Sequence, residues 1–169
     1  MSPLKILVFT EGTAIMHMSA IGVSREKRVQ QSVTGGQDIT DFRHYVPNGL
    51  VVEKLSRWKA QGADIYYLTS RTTEKEVEDI RFVLSQYDFP DVHRLVFRKG
   101  TRAYKDVAGN LLPDVLIEDD CESIGGSVEM TYPHIHPLLQ KKIHSIVVKE
   151  FEGIDHLPDD LEQLRVYKK

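Results

Sequence analysis

The sequence predicts an α/β fold: a three-layer, Rossmann-like domain with a mainly parallel five-stranded sheet. Three observations carry this expectation. Five short apolar runs recur along the chain, at residues 4–9, 64–69, 93–97, 114–118 and 144–148. Most are near-continuously apolar rather than alternating, as strands covered on both faces require. Amphipathic stretches with a helical period lie between them, and repeated strand–helix alternation packs as a parallel sheet with helices on both sides.

The elements follow in order. The first run, residues 4–9, ends in Phe9-Thr10-Glu11-Gly12-Thr13. Residues 14–47 are long for a connection from strand to helix, and insertions of this size are usually functional lids or disordered segments. A helix is expected within them near residues 24–31, followed by a loop around Thr34-Gly35-Gly36. Asn48 is placed to cap a helix over residues 49–61, in which Val51, Leu55 and Trp58 share a face and Gly62 stands at the C-terminal cap. The second run ends in Leu68-Thr69-Ser70-Arg71. Thr73 and Glu76 then have capping-box spacing. Val77, Ile80, Val83, Leu84 and Tyr87 form an apolar stripe that stops before Pro90. The fourth run ends in Ile117-Glu118-Asp119-Asp120. Residues 123–137, rich in Gly, His and Pro, read as loop before the last run.

Composition bounds the function. A chain of 169 residues with 41% hydrophobic and 28% charged residues is expected to form one domain, residues 1–169. It can bury about 70% of its unfolded surface and needs no disulfide or metal to build a core. A net charge of −3 argues against a surface that coats nucleic acid, while a small phosphorylated ligand fits an acidic protein with a positive pocket. One cysteine, Cys121, excludes an internal disulfide and suits a reducing compartment. The N-terminus lacks a signal-peptide pattern, and no apolar stretch approaches the ~18–20 residues of a membrane span, so a soluble, cytoplasmic protein is expected.

In a doubly wound sheet the ligand sits beyond the carboxyl ends of the strands, where the strand order reverses. The residues there are Glu11 and Gly12, Thr69 and Ser70, and the triplet Glu118-Asp119-Asp120. Lys105 could approach from the side. Three carboxylates after a strand can be a solvated turn or a hard-cation site. Thr69 and Ser70 can begin a helix or, with backbone N–H groups, hold a phosphate. Gly12 suits a tight turn with close backbone approach. A lone lysine is more often at the surface. His134 and His136 flank Ile135 with no third ligand and read as loop histidines. His17 and His44 lie in the insertion and could face a pocket entrance. Cys121 follows acidic residues, which oppose thiolate formation.

As an ordered set, these residues resemble the haloacid-dehalogenase-like (HAD-like) superfamily over nearly the whole chain. That family reads as an apolar strand with Asp-x-Asp-Gly-Thr, a strand ending in Thr or Ser, a lysine, and a strand ending in two acidic residues. Here Phe9-Thr10-Glu11-Gly12-Thr13, Thr69 or Ser70, Lys105 (with Lys99 as rival) and Glu118-Asp119 (or Asp119-Asp120) stand in those places. The resemblance implies a strand order of five-four-one-two-three and a small cap within residues 14–47. It also implies phosphate binding by Gly12, Thr69, Ser70 and Lys105, and Mg²⁺ held by Glu118, Asp119 and the Glu11 carbonyl.

The departure is at the first motif. In the family the first aspartate attacks phosphorus and binds Mg²⁺, and Phe9 can do neither. The second is the acid and base, and Glu11 keeps its carboxyl group on an arm one methylene longer, where a ~1 Å misplacement can cost ~10²-fold. The resemblance therefore implies a degenerate domain that binds a phosphorylated small molecule or nucleotide. Two alternatives remain open: an Mg²⁺-dependent phosphoanhydride hydrolase in which Glu11 activates water, and a non-catalytic interaction domain with its cleft filled by Phe9.

Overall fold

The computed structural model describes residues 2–34 and 40–169. In chain order, its strands are β1 (Lys5–Phe9), β2 (Ile15–His17), β3 (Tyr45–Pro47), β4 (Asp64–Leu68), β5 (Leu95–Val96), β6 (Val115–Asp119) and β7 (His144–Val148). The helices are α1 (Arg25–Thr34), α2 (Val51–Ala60), α3 (Glu74–Gln86), α4 (Tyr104–Leu111), α5 (Pro137–Gln140) and α6 (Leu161–Arg165). The loop expected at Gly35-Gly36 lies outside the described residues, and Thr34 itself still belongs to α1.

The five apolar runs make one parallel sheet of order β5-β4-β1-β6-β7. The first run is central, between β4 and β6, as expected. Alternate side chains of each strand feed two separate cores. Ile6, Val8, Ile65, Tyr67, Val115, Ile117, Ile146 and Val148 pack with the apolar faces of α2, α3 and α6. Leu7, Leu68 and Leu116 pack on the other side with Val107 and Ala108 of α4, joined by the half-buried Phe9 and Tyr104. This double coverage explains why the strands read as continuous apolar runs. The expected strand at residues 93–97 shrinks to β5, because His93 lies in a 3₁₀ turn, Val92–Arg94, that leads into this edge strand.

The helix stripes are where the periodicity puts them. Val51, Leu55 and Trp58 of α2 are buried, and Gly62, at φ +100°, ends the turn that follows. Thr73 accepts a hydrogen bond from the Glu76 N–H at the start of α3, whose Val77, Ile80, Val83 and Leu84 are buried. The expectation for Asn48 is corrected. Helix α2 starts at Val51, two residues later than predicted, with no side-chain cap from its N-cap Leu50. Asn48 is instead buried, its amide donating to the Thr13 carbonyl at 3.5 Å. The Leu50 N–H donates to the Asp155 carboxylate at 2.9 Å, so the orphan donor is satisfied from a distant loop.

The insertion is bracketed by β2 and β3, which pair antiparallel with His17 opposite Tyr45. Its helix, α1, buries no residue completely. The Gly/His/Pro-rich stretch carries two 3₁₀ turns, Gly126–Val128 and Tyr132–His134, and no strand. No helix among the described residues is long and apolar enough to cross a membrane.

Candidate functional site

The strand order reverses at β1, and a cavity of about 300 Å³ opens beyond its carboxyl end. The core contributes Phe9, Glu11, Arg71, Tyr104, Asp119 and Glu150 to its wall; the insertion contributes His17, Arg28 and Tyr45. Three ties hold the insertion over the cleft. Arg25 is ion-paired with Glu122, the Arg28 guanidinium donates to the Phe151 carbonyl at 3.2 Å, and the Ser32 and Ser123 hydroxyls are hydrogen-bonded at 3.1 Å. Cys121 and Phe151, both on the wall, have left-handed backbones at φ 52° and 64°. Such conformations cost about 1–3 kcal/mol and concentrate at ligand-binding and active sites.

Phe9 does not plug this space. Its ring lies on the wall, edge-on to Tyr104 with centroids 5.5 Å apart and planes at 78°. Residue 9 has the same parity on β1 as Leu7, so its ring extends the apolar cluster under α4. Glu11 turns its carboxylate towards the end of β4. One oxygen accepts from the Thr10 hydroxyl at 2.6 Å and from the Ser70 N–H at 3.1 Å. The other accepts from the Thr69 hydroxyl, with the Arg71 Nε 3.8 Å away. The Arg71 guanidinium also lies 4.6 Å over the Phe42 ring, linking the core to the insertion.

The acidic residues divide into two sets. Glu118 is buried, and its oxygens accept from the Thr131 N–H at 2.7 Å and the Tyr132 N–H at 2.9 Å. Burial raises its pKa against the lowering effect of those two bonds. Glu118 thus anchors the 131–132 loop; it also lines the cavity but stands outside the carboxylate group that includes Asp119 and Asp120. Asp119, Asp120 and Glu150 can each present an oxygen within 4.8 Å of the others. Asp119 accepts from the Thr13 hydroxyl at 2.8 Å and from the Cys121 N–H at 2.9 Å; Glu150 accepts from the Ser123 hydroxyl and N–H, both at 2.7 Å. Burial holds Asp119 and Glu150 above the usual carboxylate range. An oxygen-only set carrying three carboxylates suits a hard divalent cation, which would offset that desolvation.

The other expected residues fare differently. Thr69 and Ser70 do converge, on Glu11. The Gly12 N–H is already donated to the Ile15 carbonyl at 3.0 Å and is not open to a ligand. Gly12 matters through its shape: at φ +83°, an added Cβ would stand 3.1 Å from an Asp119 carboxylate oxygen. Lys105 is exposed on α4 and does not line the cavity, because the neighbouring Tyr104 takes the inward position. Lys99 is exposed and reaches towards Glu74. The cations on the cavity wall are Arg71, beside Glu11, and Arg28 from the insertion. His17 lines the cavity and His44 does not; His44 pairs with Asp41 at 2.6 Å. His134 is bonded to the Val128 carbonyl, and His136 accepts from the Leu138 N–H. Burial pushes the Cys121 thiol up, away from thiolate chemistry. Glu150 and Thr13 were missed. Glu150 had a signal, since it follows the fifth apolar run as the triplet follows the fourth.

No family model matches the chain. No curated protein matches it in sequence. Solved structures do match. The class C acid phosphatase from Bacillus anthracis with tungstate bound superposes with a TM-score of 0.58 at 12% identity, over 90% of this chain and 69% of its own. A chain of the Pnkp1/Rnl/Hen1 RNA repair complex superposes with a TM-score of 0.52 at 16% identity, over 88% of this chain but 43% of its own. At such identities the likeness is one of fold. Taken with the five-four-one-two-three strand order, it establishes that this chain has the fold of the HAD-like superfamily.

Proposed function

We propose that this phosphohydrolase-like domain binds a phosphorylated small molecule, nucleotides included, without hydrolysing it through an aspartyl-phosphate. The observation that carries the reading is the group of donors at the ends of β1 and β4. The Thr10 and Thr69 hydroxyls and the Ser70 N–H meet on one carboxylate beside Arg71, an arrangement complementary to an oxyanion. The open cavity next to it, with Phe9, Tyr45 and Tyr104 on its wall, suits the flat apolar part of a ligand such as a nucleobase. A phosphatase of the same fold, solved with tungstate, agrees with the ligand class.

Magnitude argues against ordinary hydrolysis. Phosphate monoesters need acceleration of up to ~10²¹-fold. An enzyme stripped of its nucleophile keeps ~10³–10⁴-fold, by analogy with serine proteases. Glu11 is also poorly placed to activate water, because its oxygens already accept three hydrogen bonds. Asp119, Asp120 and Glu150 would hold Mg²⁺, which would supply positive charge to a phosphate oxygen. A single, partly buried cysteine suits a reducing cytoplasm.

A thermal-shift screen of phosphorylated metabolites, with and without Mg²⁺, tests the reading together with turnover of an aryl phosphate. A ligand at a hundred times its Kd adds about 2.7 kcal/mol of apparent stability. We expect at least one such ligand and no turnover. Efficient Mg²⁺-dependent hydrolysis, or a screen with no stabilising ligand, would overturn it.

A further inference from the structure

We infer that Glu11 is the specificity-determining residue of the cleft: an internal anion that occupies the donors a ligand phosphate needs. The inference rests on the ligand class proposed above and adds what governs its affinity. Glu11 sits on the turn after the central strand, where a ligand is expected in this topology. Its partners Thr69, Ser70 and Arg71 come from a loop almost sixty positions away. A glutamate that merely capped its own turn would bond locally. This one bonds locally only to Thr10 and spends its remaining acceptors on the far loop.

Two consequences follow from charge and geometry. While the Glu11 carboxylate stays in place, a phosphate cannot approach those donors, because they are taken and two anions at contact distance repel strongly in a partly buried site. When the carboxylate leaves, a buried threonine hydroxyl and a backbone N–H lose their acceptor and Arg71 loses its neighbouring anion, and an incoming phosphate replaces it. Glu11 and a ligand phosphate therefore compete for one set of donors. The wild-type protein is selective for ligands whose remaining contacts, with the aromatic wall or a cation at Asp119, displace Glu11. Phosphate by itself does not displace it.

Inorganic phosphate is the probe, with sodium chloride at equal ionic strength as the control for screening. The wild-type chain, Glu11→Ala and Glu11→Gln are compared by titration calorimetry and thermal melting. Glu11→Ala should bind phosphate at least about tenfold tighter than wild type, as expected when charged acceptors exchange on free donors. Phosphate should raise its melting temperature while leaving wild type unchanged. Glu11→Gln keeps an acceptor oxygen without the charge, guards against misfolding of the alanine variant, and should show an intermediate gain. Adding Thr69→Val to either variant should reduce the gain.

Failure of both Glu11 variants to gain phosphate affinity, or a gain that survives Thr69→Val, overturns the inference. That failure is separable from failure of the proposed function. Wild type binding a phosphorylated metabolite while neither variant gains phosphate would sink the internal-anion role alone. The variants gaining phosphate while wild type binds no metabolite would sink the proposed function alone.

Discussion

Exchanging Phe9 for aspartate tests whether this residue alone separates the cleft from a working metal centre. Phe9 is half-buried, and its edge-to-face contact with Tyr104 has a centroid distance of 5.5 Å. Truncating a fully buried phenylalanine costs ~3–5 kcal/mol, and an aromatic pair contributes ~0.5–1.5 kcal/mol beyond its area. A partly exposed ring should therefore cost about 2 kcal/mol. At ~2–4 °C per kcal/mol for a domain of this size, Phe9→Asp should melt roughly 4–8 °C lower without metal. The new carboxylate also joins Asp119 and Glu150 on the cavity wall, raising local repulsion until a cation arrives. Mg²⁺ should then bind about tenfold tighter than to wild type and recover part of the lost melting temperature, since ligand charge tunes affinity at hard-cation sites. Circular dichroism establishes folding, calorimetry gives the affinity, and Phe9→Asp with Glu11→Asp is assayed for weak turnover of an aryl phosphate. A folded Phe9→Asp protein with unchanged Mg²⁺ affinity would refute the reasoning, because Asp119, Asp120 and Glu150 would then not form a centre that residue 9 can join.

Other perturbations probe the supports. Gly12→Ala places a Cβ 3.1 Å from Asp119 at φ +83°, so urea unfolding should show a loss of about 1–3 kcal/mol. Glu118→Ala leaves the N–H groups of Thr131 and Tyr132 without acceptors and should cost roughly 2–4 kcal/mol, with Glu118→Gln milder. In the folded Glu118→Gln protein Mg²⁺ affinity should stay near wild type, whereas Glu150→Gln should weaken it; the reverse order would make Glu118 the ligand. Glu118, Asp119 and Glu150 have raised folded-state pKa values, so the native state binds protons more readily than the unfolded chain. Their contribution to stability therefore grows as pH falls through the raised values and levels off near the ordinary carboxylate pKa of ~4. Asp64 and Asp91, lowered in the fold, lose their contribution below that point. Stability should thus be higher near pH 5 than at pH 7.5, with Mg²⁺ narrowing the difference; a rise towards pH 7.5 in metal-free buffer would contradict it.

The fold was legible because burial on both faces leaves a plain mark. Leu7 points towards α4 while Ile6 and Val8 point towards α2 and α3, so the interior of β1 from Ile6 onwards is apolar on both faces and reads as a continuous run. The stripe Val77, Ile80, Val83, Leu84 is equally direct, since a helix buries one face. Short elements carried no such mark. Strands β2 and β3 have three residues each and are defined by pairing across an insertion, which no local pattern encodes. Side-chain partners were less legible still. Asn48 has the chemistry of a cap, but burial against Thr13 claims it. Lys105 and Tyr104 are adjacent, and the rotation of α4 decides which faces the cleft; apolar burial selects the tyrosine. The Gly12 N–H looked free in sequence because its acceptor, the Ile15 carbonyl, opens β2, a short strand that no local pattern marks.

Phe9 and Glu11 gain meaning as a pair. Residue 9 shares its face with Leu7, so a phenylalanine there fits the cluster beneath α4 and makes no demand on the cleft. It also leaves Asp119, Asp120 and Glu150 without a carboxylate from the end of β1. Residue 11 turns towards the end of β4, where the long arm of a glutamate reaches the Thr69 hydroxyl and the Ser70 N–H. The two side chains thus satisfy the cleft separately, Phe9 by apolar contact and Glu11 by filling its donors. A carboxylate at position 9 would attract metal while Glu11 still held the phosphate donors. A shorter acid at position 11 would free those donors while the metal side still lacked its ligand. Each change alone removes one obstacle and leaves the other, so the effects of Phe9→Asp and Glu11→Asp on turnover should be strongly non-additive, as for residues that act as a unit.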